Sequence, residues 1–155
     1  MRHRAACLAL ALALAAPTPG PAQAAAPPHA WLFGTWTGGL FPVPSNISAQ
    51  ACLAQPTVIF TRDVVMRATL TDVTYIERVI ATARTASGRT EFRFAPVAAP
   101  PTAANPLLGL QAPPLAVGFG CGDRDGLVVQ RRTNNEITFP GCKDFPNPLV
   151  RCPSG

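Results

Sequence analysis

The feature that most restricts the fold is the absence, after the first two dozen residues, of any segment whose apolar residues keep a helical period over a dozen positions. Short alternating runs rich in β-branched and aromatic residues occur instead, separated by glycine, proline and asparagine. The runs are WLFGTWTGG, TVIFTRDVVMRATL, VTYIERVIATART, RTEFRFA, LAVGFG, LVVQRR and EITF. They predict an all-β domain, a small antiparallel β-barrel of about eight strands, with a β-sandwich as the alternative.

The amino end is typical of a secretory signal peptide over residues 1–24. Positions 2–4 supply its positive start, Arg-His-Arg, and residues 5–16 form an Ala/Leu-rich run that is too short to span a bilayer. Residues 22–24, Ala-Gln-Ala, form an A-x-A cleavage site. We therefore expect an exported protein with no transmembrane segment once the signal is removed.

The remainder of the chain has the length of one domain. We expect a single all-β domain over residues 25–155, with a long Pro/Ala-rich loop at 95–114. The twelve arginines against one lysine indicate a GC-rich bacterial genome. The predicted location is therefore the periplasm of a Gram-negative bacterium or the medium outside it, and the predicted state is a monomer.

Four cysteines remain after the signal, Cys52, Cys121, Cys142 and Cys152. An even number of cysteines in an exported chain predicts two disulfides. No pair has C-x-x-C spacing and His29 is the only remaining histidine, so we predict neither a metal site nor a cofactor. The favoured pairing is Cys142–Cys152 with Cys52–Cys121, and Cys121–Cys142 is the open alternative, since it could staple the ends of a hairpin.

The tail KDFPNPLVR has few backbone donors because of its prolines. We expect it to form neither helix nor strand, and to lie as a lid or strap over one end of the barrel. A disulfide that closes it would act mainly by restricting the unfolded chain.

One hairpin can be predicted at the level of single residues. Ala86-Ser87-Gly88 suits a three-residue loop with glycine in the left-handed position. The predicted register pairs Thr85 with Arg89, Thr82 with Phe92 and Ile80 with Phe94. It places an apolar set on the core face, namely Ile76, Ile80, Phe92 and Phe94. It places a charged set on the outer face, namely Glu77, Glu91 and Arg93.

Two arginines fall on the inward face of this register, Arg78 and Arg84. They could extend to solvent at the rims of the sheet. Alternatively, Arg78 lines a pocket mouth and binds an anionic ligand, and it is our one candidate ligand-binding residue. A second hairpin is predicted to turn at residues 133–135, Thr-Asn-Asn. Whether residues 62–63, Arg-Asp, form a turn is left open.

Several chemistries lack the residues they require. A nucleophile–histidine scheme has only His29 to draw on, near the start of the mature chain. Asp123 and Asp125 resemble the opening of a calcium loop, but its twelfth position holds Asn134, so a polar turn is favoured. The net charge of +5, which falls once the arginines of the signal are removed, is scattered. We expect neither an enzyme nor a nucleic-acid-binding protein.

Residues 34–36, Gly-Thr-Trp, resemble the G-x-W signature on the first strand of lipocalin-like (calycin) barrels. The resemblance implies that Trp36 packs in the core at the closed end of the barrel, against an arginine from the last strands. Arg131 or Arg132 could take that position. The motif is also similar to that of small secreted barrels that inhibit proteases or lysozyme in the bacterial envelope.

These observations favour an exported, non-enzymatic binding module of the bacterial envelope. Its partner would be a small apolar or anionic ligand, or an envelope protein. The alternatives are a periplasmic inhibitor of a protease or of lysozyme, and a structural protein of the envelope.

Overall fold

The computed structural model describes residues 25–44, 46–53, 57–69, 72, 74–97 and 118–153. The predicted signal peptide at 1–24 lies outside the described residues, as do most of the predicted loop at 95–114 and the first half of the run LAVGFG.

The described residues form a closed barrel of eight antiparallel strands that neighbour one another in sequence order. The strands are β1 Gly34–Gly38, β2 Thr57–Phe60, β3 Val64–Ala68, β4 Ile76–Ala86, β5 Arg89–Phe94, β6 Gly126–Arg131, β7 Glu136–Thr138 and β8 Leu149–Arg151. A 3-10 helix, Ala30–Leu32, precedes β1, and a short helix, α1 Ala49–Leu53, follows it. The prediction of an all-β barrel is confirmed. No helix in the described part of the chain is long and apolar enough to cross a membrane.

The antiparallel order gives the barrel two distinct ends. The β2–β3, β4–β5 and β6–β7 turns lie at the end where β1 begins, beside the 3-10 helix, and we call it the helix end. The longer connections that leave β3, β5 and β7 start at the opposite end, which we call the loop end.

The run TVIFTRDVVMRATL forms two strands, which answers the question left open at Arg62-Asp63. Thr61 closes the turn between them, because its Oγ1 donates to Val64 O at 2.8 Å and accepts from Val64 N at 3.1 Å. The second predicted hairpin is confirmed as well, since β6 and β7 pair across the turn at 133–135.

The register of the β4–β5 hairpin corrects the prediction in part. Its loop has two residues, Ser87 and Gly88, with φ of 50° and 75°. Two successive left-handed residues form the tight turn that suits a two-residue hairpin. The shorter loop moves every pair near the turn by one position. Thr85 therefore pairs with Thr90 instead of Arg89, and Ala83 replaces Thr82 opposite Phe92.

A bulge between Ile80 and Thr82 absorbs this shift, and the predicted pair Ile80–Phe94 is confirmed. Because a bulge adds one residue, side chains on its two sides change faces. The prediction that Arg84 points inward is therefore wrong: Arg84 is exposed and lies opposite Glu91 on the outer surface.

The prediction for the tail is also wrong, because Leu149–Arg151 forms β8, which pairs with both β7 and β1. Pro146 and Pro148 precede the strand, so the residues that must donate retain their N–H groups. Arg151 N donates to Asn135 O and Cys152 N to Thr35 O, both at 2.9 Å. The tail therefore closes the barrel.

The disulfides join Cys52 to Cys152 and Cys121 to Cys142, with Cα–Cα distances of 5.9 and 3.9 Å. The favoured pairing, Cys142–Cys152 with Cys52–Cys121, is wrong, and the alternative Cys121–Cys142 is confirmed. The reason is β8, which carries Cys152 back to the helix end and leaves Cys142 at the loop end. Cys152 thereby reaches the start of β1, beside helix α1 and Cys52.

Phenylalanine rings fill the interior of the barrel. Six of them contact one another with centroid distances between 5.5 and 6.4 Å, and each is at most 4 % exposed: Phe60, Phe92, Phe94, Phe119, Phe139 and Phe145. Phe92 and Phe94 lie on the predicted core face. The middle of the barrel is therefore a packed aromatic core.

Trp36 lies in the core at the helix end, as expected, with no exposed surface. Its Nε1 donates to Leu32 O at 2.8 Å, and the guanidinium of Arg151 lies 4.3 Å from its ring centroid. The expectation that Arg131 or Arg132 packs against Trp36 is wrong. Arg131 covers Trp31 instead, at 5.0 Å. Arg151 was overlooked because its strand was not predicted.

Candidate functional site at the loop end of the barrel

Two loops meet at the loop end, and we call them the stapled loops. They are residues 118–125, which lead into β6, and residues 139–148, which join β7 to β8. The disulfide Cys121–Cys142 joins them, and Lys143 N donates to Gly120 O at 2.9 Å. A covalent bond and a backbone hydrogen bond therefore hold the two loops together.

The second stapled loop begins with a tight turn, Phe139-Pro140-Gly141-Cys142. Cys142 N donates to Phe139 O at 3.2 Å, and Gly141 has φ of +75°. Proline followed by a left-handed glycine is the sequence pattern of a type II turn. A glycine is also required at position 120 in the first stapled loop, because a Cβ there would lie 2.6 Å from Asp144 Cγ.

A buried arginine from β3 anchors the second loop from below. Arg67 Nη1 lies 3.0 Å from Asp144 Oδ2, and the Arg67 side chain is 2 % exposed. Its guanidinium lies 5.9 Å from the Phe119 ring centroid. Arg67 therefore contacts both stapled loops, one through a carboxylate and the other through a ring.

The candidate ligand-binding residue, Arg78 of β4, anchors the first loop in the same way. It is fully buried, and its Nη2 lies 2.7 Å from Asp125 Oδ1. Nη1 donates to Arg124 O at 3.0 Å and Nη2 to Ala95 O at 3.4 Å. The guanidinium also lies 5.0 Å from the Phe94 ring centroid. A ligand role for Arg78 stays a prediction, and in this structure Asp125 balances its charge.

A third ion pair lies at the outer edge of the same loop, between Arg93 of β5 and Asp123. Asp125 N donates to Asp123 Oδ1 at 3.0 Å, which closes a local turn. Asp123 and Asp125 thus each contact a different arginine. Within the described ranges, no group of three or more His, Cys, Asp or Glu side chains is placed to hold a metal ion.

The outer surface of the stapled loops consists of glycines and prolines with three charged side chains. Its exposed residues are Gly122, Asp123, Arg124, Pro140, Gly141, Lys143, Pro146 and Pro148. Two shallow hollows flank the disulfide, of about 410 Å³ beside Lys143 and about 270 Å³ beside Arg93. This geometry can present a rigid pair of loops to another molecule.

Sequence reasoning missed Arg67, Asp144 and Phe119 as parts of this site. No sequence signal identified Arg67. It shares a face of β3 with Val65, whereas Val64, Met66 and Ala68 share the other face, so alternation favoured the fully apolar face as the inward one. No local signal identified Asp144, since its contact joins residues 77 positions apart.

The fold defines a class of protein, a closed barrel of eight antiparallel strands with a tryptophan of the first strand under an arginine of the last. This arrangement is compatible with a lipocalin-like fold. No family model, curated protein or solved structure matches the chain. The resemblance to lipocalins therefore rests on the barrel and on these two residues.

Proposed function

We propose that this protein is an exported, non-enzymatic binding module of the bacterial envelope, and that it recognises a protein partner through the stapled loops. One observation carries the choice of a protein over an enclosed ligand: phenylalanine rings pack against one another in the middle of the barrel. A carrier of small ligands needs a cavity in that position. We also propose membership of the lipocalin-like barrels.

Export is supported by two separate features of the chain. The residues at 1–24 follow the order of a secretory signal. Four cysteines form two disulfides, which persist in oxidising compartments such as the periplasm.

A protein partner is supported by how firmly the loops are held. Loops that are fixed before binding lose little conformational freedom when they meet a partner. The stapled loops are fixed by the Cys121–Cys142 disulfide and by the buried arginines Arg67 and Arg78. Arg124 and Lys143 project from them as exposed cations that could meet acidic groups.

The second candidate function is inhibition of a protease that cleaves after basic residues. It is favoured by Lys143, which is exposed between two fixed neighbours, Cys142 in a disulfide and Asp144 in an ion pair with Arg67. A lysine held in this way can enter a specificity pocket while its flanks remain attached to the barrel.

The test is affinity capture from envelope extract with the mature protein as bait, followed by native mass spectrometry. We expect a protein that the wild type retains and that a Lys143→Ala, Arg124→Ala variant loses. The matched control, Arg62→Ala with Arg84→Ala, removes two exposed charges away from the stapled loops and should still retain it.

A partner retained equally by both variants, or a small molecule retained in the barrel, would contradict this function. The same preparations separate the inhibitor from a general binding module. Inhibition of a trypsin-like protease that Lys143→Arg keeps and Lys143→Ala loses would establish the second candidate. Absence of both effects would leave a structural role.

A further inference from the structure

Strand β4 is longer than the strand that pairs with it on one side. It has 11 residues, whereas its register with β3 ends at the pair Val64–Val79. The next residue, Ile80, donates its N–H to Asp63 O in the β2–β3 turn at 2.8 Å. Residues 82–86 therefore pair with β5 alone, and we call their other side the free edge. It is about 17 Å long and lies at the helix end of the barrel.

Two hydrogen bonds at the end of β5 show which way the backbone groups of that strand point. Phe94 N donates to Asp125 O, beside β6, and Ala95 N donates to Val79 O of β4, at 2.8 and 2.9 Å. Successive residues of a strand point their N–H groups to opposite sides. The odd-numbered residues of β5 therefore point their N–H groups toward β4.

This alternation fixes the direction of the backbone groups of β4 as well. The partners of the odd-numbered residues of β5 are Thr82, Arg84 and Ala86, which use their backbone groups on β5. Ala83 and Thr85 lie between them and point their N–H and C=O groups toward the free edge. Among the residues that the structure describes, these four groups have no hydrogen-bond partner.

The free edge is open to solvent. Four of its five residues are exposed, and the fifth, Ala83, is half-buried because its side chain packs against the core. An exposed row of unpaired backbone donors and acceptors is a template for another strand. The geometry is therefore that of a site for strand addition.

The free edge carries one positive charge that no carboxylate balances. Arg84 is exposed at its middle and forms no ion pair with any residue that the structure describes. Glu91 lies opposite on β5, but its Oε1 is 3.0 Å from Arg89 Nε. In the adjacent β2–β3 turn, the exposed side chains of Arg62 and Asp63 offset each other's charge.

A second copy of the chain fits this edge poorly. Two copies paired through Ala83 and Thr85 would place their Arg84 side chains directly opposite or diagonally adjacent on the outer face, where like charges repel. A strand that carries a carboxylate at this position would instead form an ion pair with Arg84. The charge therefore favours an acidic segment of a different protein.

We propose that the free edge of β4 binds an extended segment of another protein, which adds a strand beside residues 82–86 and places a carboxylate next to Arg84. Main-chain hydrogen bonds to Ala83 and Thr85 supply affinity in this mode, and the carboxylate supplies specificity. The free edge and the stapled loops lie at opposite ends of the barrel, so this inference is independent of the proposed function.

The experiment uses two acetylated peptides, TVTETVT and TVTKTVT, which differ only in the charge of the central side chain. NMR spectra of the isotopically labelled mature protein follow its backbone amides as each peptide is added. We expect shifts at Ala83 and Thr85, with Kd below about 1 mM for the glutamate peptide and about tenfold higher for the lysine peptide.

Hydrogen exchange gives a second readout at the same residues. In the protein without peptide, the Ala83 and Thr85 amides should exchange rapidly, whereas the Arg84 amide should be protected by its bond to β5. Saturation with the glutamate peptide should slow exchange at Ala83 and Thr85.

The informative variant is Arg84→Glu, which should bind the lysine peptide more tightly than the glutamate peptide. The matched control is Arg132→Glu, which makes the same change at an exposed residue of the β6–β7 turn and should keep the wild-type preference. Circular dichroism shows that both variants are folded. In the capture experiment above, a protein lost only from the Arg62→Ala, Arg84→Ala variant would belong to this edge and not to the stapled loops.

Absence of shifts at Ala83 and Thr85 with both peptides would overturn the proposal, and so would equal affinity for the two peptides. Protection of these amides before any peptide is added would overturn it too, because the chain itself would then cover the edge. Protection that rises with protein concentration would identify a second copy as the occupant instead.

Discussion

At the level of single residues, the main structural feature is a pair of buried arginines whose counter-charges are partly in water. Arg78 has no exposed side-chain surface, whereas its partner Asp125 is 45 % exposed. Arg67 and Asp144 show the same asymmetry, at 2 % and 34 %. Removing the carboxylate leaves a buried positive charge that water cannot solvate. Removing the arginine leaves a carboxylate that is already partly in water, so its loss costs less stability.

This asymmetry predicts that losing the carboxylate costs more stability than losing the arginine. Asp125→Asn leaves Arg78 buried without its counter-charge and should lower the free energy of unfolding by about 3 kcal/mol. Arg78→Met removes the buried charge, leaves Asp125 to water and should cost about 1.5 kcal/mol. Equilibrium unfolding in urea measures both values.

Asp123→Asn is the control for this comparison. Its partner Arg93 is 68 % exposed, so the change should cost less than about 0.5 kcal/mol. A larger loss for Arg78→Met than for Asp125→Asn would contradict the account.

At the level of elements, the two-residue turn at Ser87-Gly88 decides which residues of β4 face the core. Its length sets the register near the turn, and the bulge between Ile80 and Thr82 restores the register further along the strand. Arg78 and Arg84 consequently have opposite environments, one buried beneath a loop and the other in solvent. Simple alternation from the turn would have placed both on one face.

The turn itself makes a testable prediction. Ser87 has φ of 50°, a conformation that asparagine adopts more readily, so Ser87→Asn should stabilise the protein by about 0.5 kcal/mol. Gly88→Ala should destabilise it by about 1 kcal/mol. A Cβ there would have no neighbour nearer than 3.9 Å, so the loss would come from the backbone. Thermal unfolding measures both changes.

Gly122→Ala provides the matched control, because a Cβ at that position has no neighbour within 4 Å and Gly122 lacks a positive φ. We expect its stability to lie within about 0.5 kcal/mol of the wild type. A loss at Gly88→Ala no larger than at Gly122→Ala would show that the left-handed turn is not required.

At the level of the whole molecule, one disulfide lies at each end of the barrel. Cys52–Cys152 attaches helix α1 to the residue after β8, at the helix end. Cys121–Cys142 joins the stapled loops at the loop end. The first closes a span of 100 residues and the second a span of 21, so their effects on the unfolded chain differ.

The chain-entropy relation predicts that the longer bridge stabilises the protein more. Replacing Cys52 and Cys152 with serine should cost about 4.7 kcal/mol, and replacing Cys121 and Cys142 about 3.3 kcal/mol. Urea unfolding of the two double variants measures this difference. Peptide mapping without reduction checks the connectivity independently, and a Cys142–Cys152 peptide would contradict the structure.

Much of the fold was predictable because it depends on local pattern. Alternation identified β4, β5 and β6, and Thr133-Asn134-Asn135 identified the turn between β6 and β7. The loop-end site was less predictable. Arg78 was identified as an inward residue, but its partner Asp125 lies 47 positions away, and nothing in the intervening sequence indicates that contact.

The sequence by itself determined most of the strands and the positions of their turns, since both follow from the chemistry of neighbouring residues. Only the tertiary structure decided which cysteines pair, which arginine covers Trp36 and that the tail is a strand. These features depend on which end of the closed barrel each residue reaches. Closure joins β1 to β8 across more than a hundred residues, a distance over which local pattern carries no information.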